Sequence, residues 1–135
     1  LSSHVATIMI SYALFSILAI NSVIGLFLRA PEQTQRMAKV SLVLLYPAVT
    51  LLSIGIFIGA VWANESWGRY WAWDPKEVWA LITMLVYAVP LHQSLVPQLN
   101  KPKVLHVYLL CAFVCVLMTY FGVNYLLGGM HSYGG

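Results

Sequence analysis

Four long apolar stretches dominate this chain. They run approximately from Val5 to Leu28, Val40 to Ala60, Val78 to Val96 and Val104 to Leu127, and none contains Asp, Glu, Lys or Arg. Each approaches or exceeds the roughly 20 residues that cross a bilayer core as a helix. Lipid offers no water to satisfy backbone N–H and C=O groups, so such segments must pair them internally. Continuous rather than alternating apolar runs exclude the strands of a membrane barrel. Composition agrees: only 8% of residues are charged, against about 25% in soluble domains. Mean hydropathy is +0.81. The expected fold is an all-α integral membrane protein of one domain over residues 1–135. It has four transmembrane helices, with a Trp-rich amphipathic outer loop (61–77) between the second and third.

The connecting segments set the orientation. Residues 29–39 carry Arg29, Arg36 and Lys39 with Glu32, and residues 97–103 carry Lys101 and Lys103. These two loops fall on one side and hold five of the seven basic residues. The positive-inside bias makes that side cytoplasmic. The N-terminus, the Trp-rich loop and the C-terminal tail then face outward, bringing His4 and His131 to the same surface. The net charge of +3 includes no basic run, so nucleic acid is excluded as a partner. The opening Leu1-Ser2-Ser3-His4 lacks a basic n-region, so no signal peptide is expected. It reads as a segment of a longer polypeptide.

The 18 residues from Trp62 to Trp79 hold all five tryptophans and three of the four acids. Indoles gather at membrane interfaces as anchors, and single residues such as Trp62 or Trp79 suit that role. The density here also suits a flat conjugated ligand. Trp67, Tyr70 and Trp71 at i, i+3, i+4 would align one aromatic face on a short helix lying along the membrane. From spacing alone the two readings stand level.

Asp74-Pro75-Lys76-Glu77 has the chemistry of a helix start, with Asp at the N-cap, Pro at N1 and Glu at N3 closing a capping box. Arg69 has no capping duty and could pair with an anionic ligand group or with Glu65. His92 lies about 14 residues into the third span, roughly 20 Å from its outer end at 1.5 Å per residue. An ionisable group at that depth is a functional candidate. Its alternative is a neutral imidazole bonded to a nearby carbonyl, since Pro90 also frees the carbonyl of Val86. His106, beside Lys103, is expected to be a surface imidazole. His4 and His131 could together hold one metal. Cys111 and Cys115 match neither a redox pair nor a haem attachment motif and are expected to be packing residues.

The segment Trp67-Gly-x-x-Trp71-x-Trp73-Asp74 resembles the tryptophan-rich (WWD) signature of the haem-handling membrane proteins of cytochrome c maturation. The longer run Trp67-Gly-Arg-Tyr-Trp-Ala-Trp-Asp-Pro-Lys-Glu-Val-Trp-Ala-Leu-Ile-Thr83, with Tyr87 and Leu91-His92, is similar to the system II cytochrome c synthase of the ResC/CcsA type. The tail from Tyr120 to Leu127, followed by Met130-His131-Ser-Tyr133, and the opening His4-Val5 with Ser11-Tyr12-Ala13 extend the likeness to nearly the whole chain.

The resemblance implies haem transport to the outer face and presentation for thioether attachment to the C-x-x-C-H motif of apocytochrome c, a haem lyase activity. It implies haem b as the transported substrate. His4 and His131 would be outer iron ligands over a platform of Trp67, Arg69, Tyr70, Trp71, Trp73 and Asp74. His92 would be an inner iron ligand whose partner histidine lies outside this chain. His106 matches no ligand. A companion subunit of the CcsB/ResB type, possibly fused in the natural chain, would complete the assembly. The implied site is a bacterial inner membrane, with the Trp-rich loop toward the periplasm or exterior, in preference to a thylakoid membrane. The rival functions are a b-type haem electron-transfer subunit and a non-catalytic membrane scaffold. The first would usually pair histidines within facing spans, and here only His92 is expected to lie deep.

Overall fold

The computed structural model describes residues 2–127, with side chains through Gly122. Helix α1 covers Ser2–Phe27, and α2 covers Pro31–Trp67. Helix α3 covers Pro75–Ala88. It is followed by 3-10 turns at Val89–His92 and Pro97–Asn100. Helix α4, Pro102–Leu117, continues into π-helix over Met118–Leu127. The chain is an all-α membrane protein. Three helical stretches, Ser2–Phe27, Pro31–Trp67 and Pro102–Gly122, are long and apolar enough to cross a bilayer.

The first connection is much shorter than the expected 29–39 loop. Ala30 is extended, with φ −72° and ψ 124°, as a residue before proline prefers. Pro31 then supplies N1 of α2, and the Thr34 hydroxyl bonds the carbonyls of Leu28 and Ala30, both at 3.3 Å. Arg36 and Lys39 therefore ride on helix rather than loop. At 37 residues, α2 is about 55 Å long at 1.5 Å per residue, longer than the ~30 Å hydrocarbon core. It absorbs Trp62 to Trp67 from the expected outer loop.

The third span departs most from expectation. Helix α3 has 14 residues, about 21 Å at the same rise, and stops before Pro90. Proline cannot donate to the helical ladder, so the chain tightens into the 3-10 turn at Val89–His92. The carbonyl of Val86, four residues before Pro90, instead accepts the Tyr108 hydroxyl at 2.6 Å from α4. A full helical span over 78–96 is thus replaced by a short helix and a turn.

Helices α1, α2 and α4 pack around Phe15, Leu18, Leu45, Leu52, Leu105 and Leu109, all fully buried. Tyr87 of α3 stacks on Phe15 with centroids 4.0 Å apart. Small and hydroxyl residues lie in the helix interfaces. Ser11 donates to the Ala48 carbonyl at 2.8 Å, and Asn21 donates to Ser41 Oγ and to the Met37 carbonyl. Ile10, Ile20, Phe27, Val43, Phe57 and Val114 turn outward. Small and polar residues inside with large aliphatics outside is how helices pack in lipid.

His106 also departs from expectation. It is 0% exposed rather than a surface imidazole, wedged against α1 and α2. Its Nε2 meets the Thr34 carbonyl at 3.2 Å. The ring covers Gly25, where a Cβ would stand 2.5 Å from Nε2. Proximity to Lys103 in sequence suggested solvent, but the three-residue connection draws the start of α2 over the imidazole.

Candidate functional site

The Trp-rich segment is built by two helix ends facing each other. Gly68 closes α2 in the left-handed conformation, φ 78°, with its N–H on the Asn64 carbonyl at 2.9 Å. Glycine adopts that conformation without the steric cost of a Cβ. Because α2 ends there, Trp67, Tyr70 and Trp71 do not share a helical face, and the expected amphipathic helix is absent from 68–74. Trp67 instead packs edge-on against Trp62 at 4.7 Å, within α2. Trp71 packs edge-on against Trp73 at 5.7 Å.

The far side of the segment is the expected capping box. Asp74 Oδ2 accepts the Lys76 N–H at 3.1 Å, and Glu77 Oε2 accepts the Asp74 N–H at 3.2 Å. The same Glu77 oxygen also accepts the Ala72 N–H at 2.8 Å. These two amides flank Trp73, which has φ 56°. A left-handed conformation is costly for a residue with a Cβ, about 1–2 kcal/mol, and persists where neighbours over-determine it. Glu77 thus clamps both sides of Trp73 and leaves that indole 69% exposed. Its role extends past the cap foreseen from sequence.

Between these ends lies a cleft enclosing about 470 Å³ of empty space, part of it open to solvent. Its walls are His4, Ile8 and Tyr12 from α1, Ile56, Gly59 and Ala60 from α2, Tyr70 and Trp71 from the loop, and Lys76, Glu77 and Ala80 from α3. His4 and Tyr70, 66 residues apart in sequence, therefore line one site. The His4 Nδ1 lies 2.7 Å from the Gly55 carbonyl. A carbonyl only accepts, so Nδ1 carries the proton and Nε2 is the lone-pair nitrogen. One turn along α2, Gly59 lets the ring lie flat on the backbone: a Cβ there would stand 2.5 Å from His4 Cε1.

Lys76 and Glu77 are the charged residues of this wall. Burial pushes the Lys76 ammonium down from the ordinary 10.5 to about 8, against the pull of Asp74, which raises it. Glu77 is spent on backbone amides. Lys76, Glu77 and Tyr12 were not singled out as cleft residues. The signal available for them was the capping box, which fixes N2 and N3 of α3 next to the loop.

The remaining candidates are dispersed. Arg69 is exposed and is not among the cleft walls. Trp67 also lies outside the cleft lining, and Asp74 is buried in its cap. His92 is exposed on the 3-10 turn after α3, with Nδ1 2.8 Å from the Ala88 carbonyl. This is the carbonyl-bonded arrangement, and it again leaves Nε2 as the lone-pair nitrogen. His131 lies outside the described residues. Among the described residues, no three His, Cys, Asp or Glu side chains converge to hold a metal. Iron bound at this cleft would draw on His4 and on a ligand from elsewhere. The donor set fits haem: one oriented imidazole, aromatic and aliphatic walls, and one cation.

Comparison with known proteins gives the family. A family model described as "Cytochrome C assembly protein" matches residues 1–131. The chain is 43% identical to Protein NrfI of Wolinella succinogenes over 98% of its own length and 16% of that protein. It is 56% identical to the cytochrome c biogenesis protein CcsA of Gloeothece citriformis, over 62% of this chain and 25% of the relative. With CcsA of Gloeobacter violaceus the identity is 43%, over 82% of this chain and 32% of the relative. The chain thus spans a third or less of the length of these relatives.

Proposed function

Because the chain belongs to the cytochrome c assembly protein family, we propose that it works in cytochrome c biogenesis of the system II type, as the haem-handling portion of a larger protein. In this reading haem b is the substrate. It is carried to the outer face of the membrane and presented there to the C-x-x-C-H motif of apocytochrome c, whose thiols form thioether bonds with the vinyl groups.

The observation that carries the reading is His4 itself. Its Nδ1 proton is committed to Gly55, and its ring opens on a cleft walled by Tyr70 and Trp71. A second-sphere carbonyl on Nδ1 is the usual way a protein orients a ligating histidine. His4 would hold the iron from one face and His131 from the other. One of them gives way when the substrate histidine arrives. Tyr70 and Trp71 would form the platform that keeps the porphyrin edge still, on a segment held in place by the Asp74 cap and continued by Trp67 and Trp73 outside the cleft lining. Within the described residues no side chain is needed as general acid or base, since holding vinyl and thiol together lowers the barrier by proximity. His92 would serve an inner haem site, with its partner histidine on another part of the assembly and a CcsB/ResB-type companion completing the path.

The test is assembly of a c-type cytochrome reporter by the full natural chain with its companion. His4→Ala and His131→Ala are expected to abolish covalent haem attachment. Attachment at wild-type level in both variants contradicts the proposal.

A further inference from the structure

Helix α2 begins at the end of the bundle opposite His4, which sits in the first turn of α1. Arg36 and Lys39 stand three residues apart there, hence on one face of the helix. Val40 and Val43 follow them by four residues each and carry that face into the apolar run. All four are exposed, Val43 by 70%. Two shallow grooves meet at the cations. One is polar, walled by Glu32, Gln35, Arg36 and Lys39. The other is walled by the same two cations with Val40, Val43 and Leu44. We propose that this face binds an anionic phospholipid, its phosphate between Arg36 and Lys39 and its acyl chains along the valines and Leu44. The site is independent of haem presentation.

Four features support the assignment. First, no side-chain hydrogen bond or ion pair among the described residues engages Arg36 or Lys39, and Glu32, one turn before Arg36, is not paired with it. Second, the two cations directly precede the apolar run that starts at Val40. They stand where the helix passes from water into hydrocarbon, which is the depth of lipid headgroups. Third, the contact of His106 with the Thr34 carbonyl brings the start of α4 to the start of α2. Lys101 and Lys103 thus join Arg29, Arg36 and Lys39 at one end of the bundle, five of the seven basic residues, and their summed field favours an anion at this surface. Fourth, the apolar wall decides the class of ligand. A free phosphate or an acidic peptide uses the cations alone. A phospholipid uses both grooves, with the guanidinium fork and the ammonium on the phosphate and aliphatic contact along the valines.

The test titrates the full natural chain in detergent with a chain-labelled fluorescent phosphatidylglycerol and, in parallel, with phosphatidylcholine carrying the same label and chains. Binding is read by anisotropy. Wild type is expected to prefer the anionic lipid by about tenfold or more, the scale of two cations beside a charged headgroup. Arg36→Gln with Lys39→Gln is expected to lose that preference. Arg36→Lys with Lys39→Arg, which retains both charges, is expected to keep it, as is Lys101→Gln with Lys103→Gln. Excess inorganic phosphate and excess polyglutamate are each expected to leave the lipid bound. No preference in wild type, its retention in the double glutamine variant at 36 and 39, or its loss in either of the other two variants overturns the assignment. Displacement by phosphate or by polyglutamate also overturns it, giving the cations to a free anion or to an acidic chain. Each of these results leaves haem presentation standing.

Discussion

The Nδ1 of His4 on α1 lies 2.7 Å from the backbone carbonyl of Gly55 on α2, and this one bond decides which imidazole nitrogen can hold a metal. His92 uses the same nitrogen on the Ala88 carbonyl. His106 does the opposite, meeting the Thr34 carbonyl through Nε2, while its Nδ1 is buried with no partner among the described residues. In His4 and His92 the lone pair therefore falls on Nε2, the nitrogen farther from the backbone. The third is enclosed.

Gly59 makes the flat lie of His4 possible, so Gly59→Ala should displace the imidazole without replacing any proposed ligand residue. A Cβ 2.5 Å from Cε1 cannot be accommodated in place. Overpacking costs on the order of 1–3 kcal/mol, and here the ring can relieve it by moving into the cleft. Haem retained per protein, read by absorbance, is expected to fall by about tenfold or more, in line with that range. Full retention contradicts the geometry.

His106→Ala separates stability from ligation. The ring is fully buried over Gly25, and emptying such a site costs about 2–4 kcal/mol. The thermal midpoint in detergent should drop, whereas the position of the haem Soret band should stay as in wild type. A shifted band with an unchanged midpoint would assign His106 to the iron instead.

Glu77→Gln tests the clamp around Trp73. The amide keeps an acceptor but loses the charge that serves the Ala72 and Asp74 N–H groups together. Charge-assisted bonds to backbone amides contribute about 1.5–3 kcal/mol, enough to release a strained φ of 56°. The expected outcome is faster tryptic cleavage after Arg69, with far-ultraviolet helicity retained. Unchanged cleavage would show the loop is fixed by other contacts.

Lys76 gives a pH signature. Its folded-state pKa is about 8 against an ordinary 10.5. Between those values the unfolded chain still binds a proton that the folded chain has released, so this group's contribution to stability becomes more favourable as pH rises. Below about pH 8 both states are protonated and the cost of burying the ammonium is fully present. The midpoint of wild type relative to Lys76→Met should therefore climb from pH 8 to 10.5. A flat difference contradicts the burial.

Much of this was legible in the sequence because it is local. The capping box of Asp74 and Glu77 needs only spacing, and it forms as expected. The apolar runs of α1, α2 and α4 give helices because lipid allows little else. What sequence could not supply is tertiary. Trp67, Tyr70 and Trp71 have helical spacing, yet Gly68 between them takes φ 78° and ends α2. Hydropathy marks 78–96 as a span, yet Pro90 stops the helix and hands the Val86 carbonyl to Tyr108. His106 looked exposed because Lys103 precedes it, and only the short α1–α2 connection shows otherwise. Convergence of His4 with Tyr70 and Trp71 was expected from topology alone, while the capping box placed Lys76 beside the loop without showing that it faces the same cleft.

In the proposed function His4 is an outer haem ligand and works with His131, which lies outside the described residues. The most direct measurement of that role is the absorption spectrum of the full natural chain as purified, beside His4→Ala and the same variant with added imidazole. Wild type should carry low-spin haem with two nitrogen ligands. The variant should lose that signature, and imidazole should restore it. A wild-type spectrum without haem, or an identical spectrum from His4→Ala, contradicts the claim.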